Sequence, residues 1–179
     1  MFLELARKRR SIRKFKDIEI EKEKLDTLVK STLLYPSSRS IYPCEFVFVK
    51  DKELLGKLAK SKLHGSTFLS GASLGIVVCG DETKSDVWIE DASIASTYIM
   101  LSAESLGLGC CWIQIRQRFH SDNVSSEKYV QELLELPENL KVLSIMVIGY
   151  PDEEKSPKPD NELGFDKVYI NRYNQKFNV

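Results

Sequence analysis

Residues 86–116 read DVWIEDASIASTYIMLSAESLGLGCCWIQIR, and this stretch decides the fold. From Asp86 to Leu106 apolar residues recur three and four apart, which makes a long helix with Ile94, Thr97, Tyr98, Leu101 and Leu106 as parts of its buried stripe. Ala92, Ser93, Ala95, Ser96, Ser102, Ala103 and Ser105 leave little bulk on the other faces. Such a helix is central, or it packs closely against a partner subunit. Gly107-Leu108-Gly109 stops it with a C-terminal glycine cap. Cys110 to Arg116 then reads as a strand. The neighbouring Cys110 and Cys111 point to opposite faces and act as small core residues rather than a redox pair.

Working outward, further strands are expected at Glu45–Val49, Gly75–Gly80 and Val142–Ile148. Helices are expected over Leu25–Leu33, stopped by Pro36, over Asp51–Leu63, with acids in its first turn, and over Tyr129–Leu136. A short helix from Phe2 ends near Arg9 or Arg10. Residues 65–71 and the polar segment 118–126 read as loops. Asp152 to Asn161, rich in charge and holding Pro157 and Pro159, is an exposed arm, and Phe165 to Phe177 returns to an aromatic pattern able to pair or to wrap a neighbour. Strands alternating with helices argue for a sheet covered on both faces, without settling strand order. With 179 residues the chain is expected to form one domain, residues 1–179.

Hydrophobic residues make up 42% and charged ones 29%, which excludes a disordered chain. No apolar run reaches the roughly 20 residues of a spanning helix, and the N-terminus does not read as a signal peptide, so a cytoplasmic location is expected. Cys44, Cys79, Cys110 and Cys111 include no C-x-x-C pair, and His64 and His120 stand far apart, so no metal site is expected. Neither a Rossmann glycine fingerprint nor a Walker loop is present.

One run breaks the charge balance. The segment Arg7-Lys8-Arg9-Arg10-Ser11-Ile12-Arg13-Lys14-Phe15-Lys16 packs seven cations into ten positions, while 26 basic and 26 acidic residues cancel over the whole chain. Guanidinium groups grip phosphate through paired charge-assisted hydrogen bonds, and a serine hydroxyl adds another. A single phosphate suits this cup. The alternatives are a solvated basic helix end and a nucleic-acid site, which the acidic remainder of the chain argues against. A second polar element, Pro36-Ser37-Ser38-Arg39-Ser40-Ile41-Tyr42-Pro43, leads into the strand at Glu45. It is either surface or a holder for a polar ring or ribityl chain.

Four stretches in fixed order resemble the FMN-dependent nitroreductase family: Arg9 to Phe15, Pro36 to Phe46, Leu106 to Ile113, and Ile148-Gly149-Tyr150-Pro151. The resemblance spans about residues 2–175. It implies an α+β fold, a three-layer sandwich with a mostly antiparallel central sheet flanked by helices, and a C-terminal arm extending to the partner of a homodimer. It implies that Arg9, Arg10, Ser11 and Arg13 hold the FMN phosphate and ribityl chain, and that Pro36, Ser37, Ser38 and Ser40 reach the same flavin from the other subunit. Trp112 and Ile113 would line the isoalloxazine, with backbone N–H groups near Gln114 and Ile115 facing N5 and O4. Lys155, with Lys158 second, would complete the phosphate site. The implied activity is hydride transfer from NAD(P)H through FMN to an electron-poor acceptor, a nitroaromatic or quinone, in a ping-pong cycle without a catalytic side chain. A non-catalytic flavin-binding module and reductive dehalogenation are the alternatives. The family's usual asparagine, glutamine and tryptophan after P-S-S are here Ser40, Tyr42 and Cys44, which bears on the acceptor.

Overall fold

A computed structural model describes residues 1–177. In chain order the elements are α1 (Phe2–Lys8), α2 (Lys22–Leu33), β1 (Cys44–Val49), α3 (Lys52–Leu58), β2 (Leu74–Asp81), α4 (Trp88–Ser105), β3 (Gly109–Gln114), β4 (Phe119–Ser121), β5 (Val124–Ser125), α5 (Ser126–Leu133) and β6 (Leu140–Gly149). The main sheet has the order β1-β2-β6-β3, and every pair is antiparallel.

Central strands β2 and β6 are apolar on both sides because both faces are covered. Val77, Cys79, Ile113, Ile145 and Val147 pack with Leu55 and Leu58 of α3 and Val130 of α5. Their alternates Ile76, Val78, Cys110, Met146 and Ile148 pack with Leu28 of α2 and Ala92, Ile99 and Ala103 of α4. The three layers expected for this fold are therefore present, and Cys110 and Cys111 are both buried, as small core residues should be. Opposite Val78 and Cys79 the register slips, with Ser144 and Val142 as their partners and Leu143 as the extra residue. This bulge leaves one carbonyl, that of Leu143, to accept from both Ile115 N–H (3.0 Å) and Arg116 N–H (3.1 Å), which ends β3.

The structure corrects the reading of α4. Its buried face is Trp88, Asp91, Ala92, Ala95, Ser96, Ile99, Ser102 and Ala103, whereas Ile94 is 37% and Tyr98 39% exposed. Small side chains let the helix lie close on the sheet, so Ile94 and Tyr98 point outward, while Leu106 of the expected stripe packs partly buried against the core. With Phe2, Leu5 and Leu101, Tyr98 borders an apolar groove of about 560 Å³ between α1, α2 and α4.

Two other expectations are adjusted. Helix α3 stops at Leu58, short of Leu63. Within residues 118–126, Phe119 pairs with Ser125 in a small hairpin, and Ser125 then caps α5 by accepting from Lys128 N–H. The aromatic tail folds on itself, Tyr169 stacking on Tyr173 at 4.4 Å, and leaves Phe165, Val168 and Ile170 about half exposed. In α3, Asp51 caps the helix by accepting from Leu54 N–H at 2.8 Å, and a Cβ on Gly56 would meet nothing within 4 Å. Gly56→Ala is expected to raise stability by about 0.5–1 kcal/mol, since glycine inside a helix costs backbone entropy. Urea unfolding of the variant checks this.

Candidate functional site

The basic run does not continue α1. Arg9 leaves helical geometry at φ −57°, ψ 111°, and the chain runs extended alongside the start of β3. Ser11 bridges Cys110 in parallel sense, and Ile12 N–H donates to the Cys110 carbonyl at 3.1 Å. Phe15 bridges Pro151, and Lys16 N–H donates to the Tyr150 carbonyl. The approach is tight, because a Cβ on Gly109 would lie 2.8 Å from Ile12 Cγ2 and one on Gly149 3.0 Å from Phe15 Cδ1. The glycines at 109 and 149 are what let the cationic run lie against the sheet.

Extended backbone alternates its side chains. Ile12 is buried, and Arg10 on its side donates to the Ser156 carbonyl and borders a cavity of about 640 Å³ with Glu104, Leu108 and Pro157. Arg9, Ser11 and Arg13 take the other side. The Cys111 thiol of β3 is raised by burial and held back by Arg13, the Ser11 hydroxyl, Lys155 and Arg9. Lys155 donates to the Ser11 carbonyl and lies 3.5 Å from Glu153. Of the two candidate lysines, Lys155 joins this cluster; Lys158 meets α1 through its backbone N–H, donated to the Arg7 carbonyl. Glu153 is a residue the sequence reading missed. It accepts from Arg13 N–H and Lys14 N–H, and those backbone contacts, the Arg13 one foremost, with Lys155, hold its carboxyl below the usual value. Glu153 thereby fastens the arm after β6 to the cationic run.

Strand β3 is an edge strand. Its Cys110 carbonyl points away from β6, toward Ile12, so by alternation the backbone groups of Trp112 and Gln114 also face outward. Trp112 is partly exposed and donates through Nε1 to Gln114 Oε1 at 2.9 Å. Two of the expected contacts are corrected here. Ile113 and Ile115 are 1% and 0% exposed in the core between sheet and α3/α5, so the Ile113 side chain cannot line a ligand on the free edge. Ile115 N–H is spent on the Leu143 carbonyl, which leaves Gln114 N–H as the outward donor.

The Pro36–Pro43 loop is held by Asp91, a 2% exposed carboxylate on α4 that the sequence reading did not single out. Ser37 Oγ donates to Asp91 Oδ2 at 2.9 Å, Ser38 N–H donates to Oδ1 at 3.0 Å, and Ser37 Oγ accepts from Tyr42 N–H. These bonds brace a backbone in which Arg39, Ser40 and Tyr42 all have φ between 51° and 54°. Pro36 and Ser40 are exposed beside them, and Arg39 pairs with Asp86. Cys44, at the loop's exit, has its thiol pushed up to about 11, chiefly by burial, so it is no nucleophile near neutral pH. Asp91→Asn would set an amide donor against the two donors already there. It is expected to cost about 1–3 kcal/mol and to loosen the loop, measurable as a lower melting temperature and as proteolysis between 36 and 43.

The loop and the cationic cluster lie at opposite corners of the sheet. Cys44 is in register with Gly80 and, through it, Lys141, whereas Gly109 pairs with Gly149 at the other end of β6 and on the far side of it. That separates them by roughly 25 Å of strand length and about 14 Å of sheet width. One chain does not bring them together.

The architecture is that of a three-layer α+β sandwich with an arginine-rich run laid on the edge of its sheet, an arrangement with the charge to take an anionic group there. The comparisons narrow this further. The profile of the Nitroreductase family matches residues 6–68 and 59–150. A solved structure of an FMN-dependent nitroreductase from Clostridium difficile R20291 superposes with a TM-score of 0.94 at 49% identity, covering 96% of this chain and 99% of that one. A nitroreductase-type protein of Archaeoglobus fulgidus is 34% identical over 176 residues, 96% of this chain and 98% of its own. The NADPH-flavin oxidoreductase of Vibrio harveyi is 30% identical over 84% of this chain and 65% of its own length. The chain belongs to the nitroreductase family.

Proposed function

We propose that the protein is an NAD(P)H-dependent FMN oxidoreductase that works as a homodimer. The observation carrying this reading is that Arg9, Ser11 and Arg13 lie on a run laid beside β3 through the Ser11–Cys110 bridge, with Lys155 donating to the Ser11 carbonyl. Three cations and a hydroxyl suit a phosphate monoester, and the strand edge beyond them offers an outward N–H at Gln114 rather than a covering side chain. The residues present therefore fit FMN. When bound, FMN supplies the redox chemistry, taking hydride from a reduced nicotinamide and passing it to an electron-poor acceptor such as a nitroaromatic or a quinone.

The chain's own residues bind and orient. Arg9, Arg13, Ser11 and Lys155 anchor the phosphate, and Arg10 holds the arm after β6 against the run through the Ser156 carbonyl. Gln114 N–H faces the flavin's polar edge, and Trp112 limits water on one side of it. Pro36, Ser37, Ser38 and Ser40 serve the flavin of the partner subunit, because within one chain they lie at the opposite corner. A two-fold pairing through the outward face of α4, with Phe2, Tyr98 and Leu101, would cover the apolar groove and carry each loop to the other chain's cluster. Tyr42, 52% exposed at the loop tip, is then placed to meet the acceptor. A cytoplasmic location belongs to the same proposal; among the described residues no helix is long and apolar enough to cross a membrane.

The test is anaerobic reduction. Purified protein is expected to be yellow, to bleach with NADPH or NADH, and to recover its colour when a quinone or nitrofuran is added. Bound flavin that stays oxidised with both nicotinamides would identify a flavin-holding module instead.

A further inference from the structure

The second half of β3 leads to another cationic pocket, which the flavin reading leaves without a role. Lys62, Leu63, His64, Gln117, Arg118 and Phe119 line a cavity of about 350 Å³. Two separate segments build it and are tied together. Leu63 N–H donates to the Phe119 carbonyl at 3.0 Å, and His120 Nδ1 lies 2.6 Å from the Lys60 carbonyl while its ring stacks on Tyr129 at 4.0 Å. Gln117 holds φ at 58°, a left-handed conformation uncommon for a residue with a side chain, and Arg118 after it lines the same cavity as Lys62. The Arg118 guanidinium has only the Gln117 carbonyl, at 2.8 Å, as a partner among the described residues.

None of the ion pairs among the described residues includes Lys62, His64 or Arg118. Two cations sharing one cavity without an acid is an arrangement that an incoming anion stabilises. Lys62 feels that lack: burial first, then Arg118, pull its ammonium below the usual lysine value. Gln117 and Arg118 follow β3 directly, so the pocket lies past the end of that strand, opposite the end where Ser11 bridges Cys110.

We propose that this pocket takes a phosphate group of the reduced nicotinamide dinucleotide. The inference rests on the flavin reading above. The FMN phosphate would already occupy the Arg9–Arg13–Lys155 cluster, and the donor carries two linked phosphates and, in NADPH, a third. Arg118 supplies the planar fork and Lys62 the point charge.

The test uses FMN-loaded enzyme, with anaerobic flavin reduction followed by stopped flow against NADPH and NADH concentration. Arg118→Ala and Lys62→Met are each expected to raise the half-saturating concentration about tenfold, the loss of one charge-assisted contact to phosphate. Added salt should weaken the wild type more than Arg118→Ala, and Arg118→Ala should purify with the wild-type complement of FMN. A rise with NADPH alone places the 2′-phosphate in the pocket, and a rise with both nucleotides places the pyrophosphate there; either supports the proposal. Unchanged dependence in both variants, with a wild type that is reduced normally, overturns it. Loss of FMN from both variants overturns it too, assigning the pair to the flavin. A wild type that neither nicotinamide reduces sinks the functional reading itself.

Discussion

Arg13→Ala and Arg9→Ala are each expected to give folded protein that has lost most of its flavin, with FMN affinity reduced about ten- to hundredfold, while Arg116→Ala keeps its colour. One charge-assisted hydrogen bond to phosphate is worth about 1.5–3 kcal/mol, and a bidentate guanidinium lies at the upper end of that range. The Arg13 side chain packs loosely in the free chain, its guanidinium 5.9 Å from the Phe68 ring, so truncation removes little from the fold. Arg116 lies beyond the end of β3, within reach of Glu127 but with no ion pair inside 4.0 Å among the described residues. Absorbance of the purified variants and equilibrium titration with FMN separate the cases. Equal flavin retention by Arg9→Ala and Arg116→Ala would overturn the assignment of the cluster.

Gly109→Ala should be the most damaging single methyl group in the site. The added carbon would sit 2.8 Å and 2.9 Å from two carbons of Ile12, a buried residue of the cationic run. Overpacking of this kind costs about 1–3 kcal/mol. Here the strain also pushes the cationic run away from β3, so flavin affinity and stability should fall together. Circular dichroism melts with and without FMN read both effects. A melting temperature and FMN affinity that both match wild type would show that the run is not held where it is by that close approach.

Much of this architecture was legible because its strands and helices are strongly patterned. The apolar run at 75–80 fits a buried strand and that at 142–148 a strong one, and both are strands of the buried sheet centre. What periodicity could not decide was which side of α4 meets the sheet. The helix has a small face and a bulky face, and the bulky one drew the reading, yet close approach to the sheet favours Ala92, Ala95 and Ser96. Helix α3 was drawn too long because the pattern continues through Leu63, although Leu63 is tied by its N–H to Phe119 instead. The hairpin at 119–125 has strands of three and two residues, too short to alternate visibly.

At the site, the cationic run could be read from charge alone, but its place on β3 could not, since residues 10–15 form isolated bridges and not a strand. The parity of β3 was legible. Once Cys110 and Cys111 are given opposite faces, Ile113 and Ile115 follow Cys111 into the core, and a lining role for the Ile113 side chain is excluded. Asp91 and Glu153 were invisible for a simpler reason. Each is a single acid more than fifty residues from the groups it holds, and nothing in local spacing marks it. The 2% exposure of Asp91 is the signal that finds it.

The phosphate claim can be tested without any mutation, by titrating flavin-free protein with FMN and with riboflavin, which differ only in the phosphate. If Arg9, Ser11, Arg13 and Lys155 form the anchor, FMN should bind at micromolar concentration or tighter, riboflavin at least a hundredfold more weakly, and added salt should narrow the gap. Equal affinity for the two flavins, or no binding of FMN, would contradict the account.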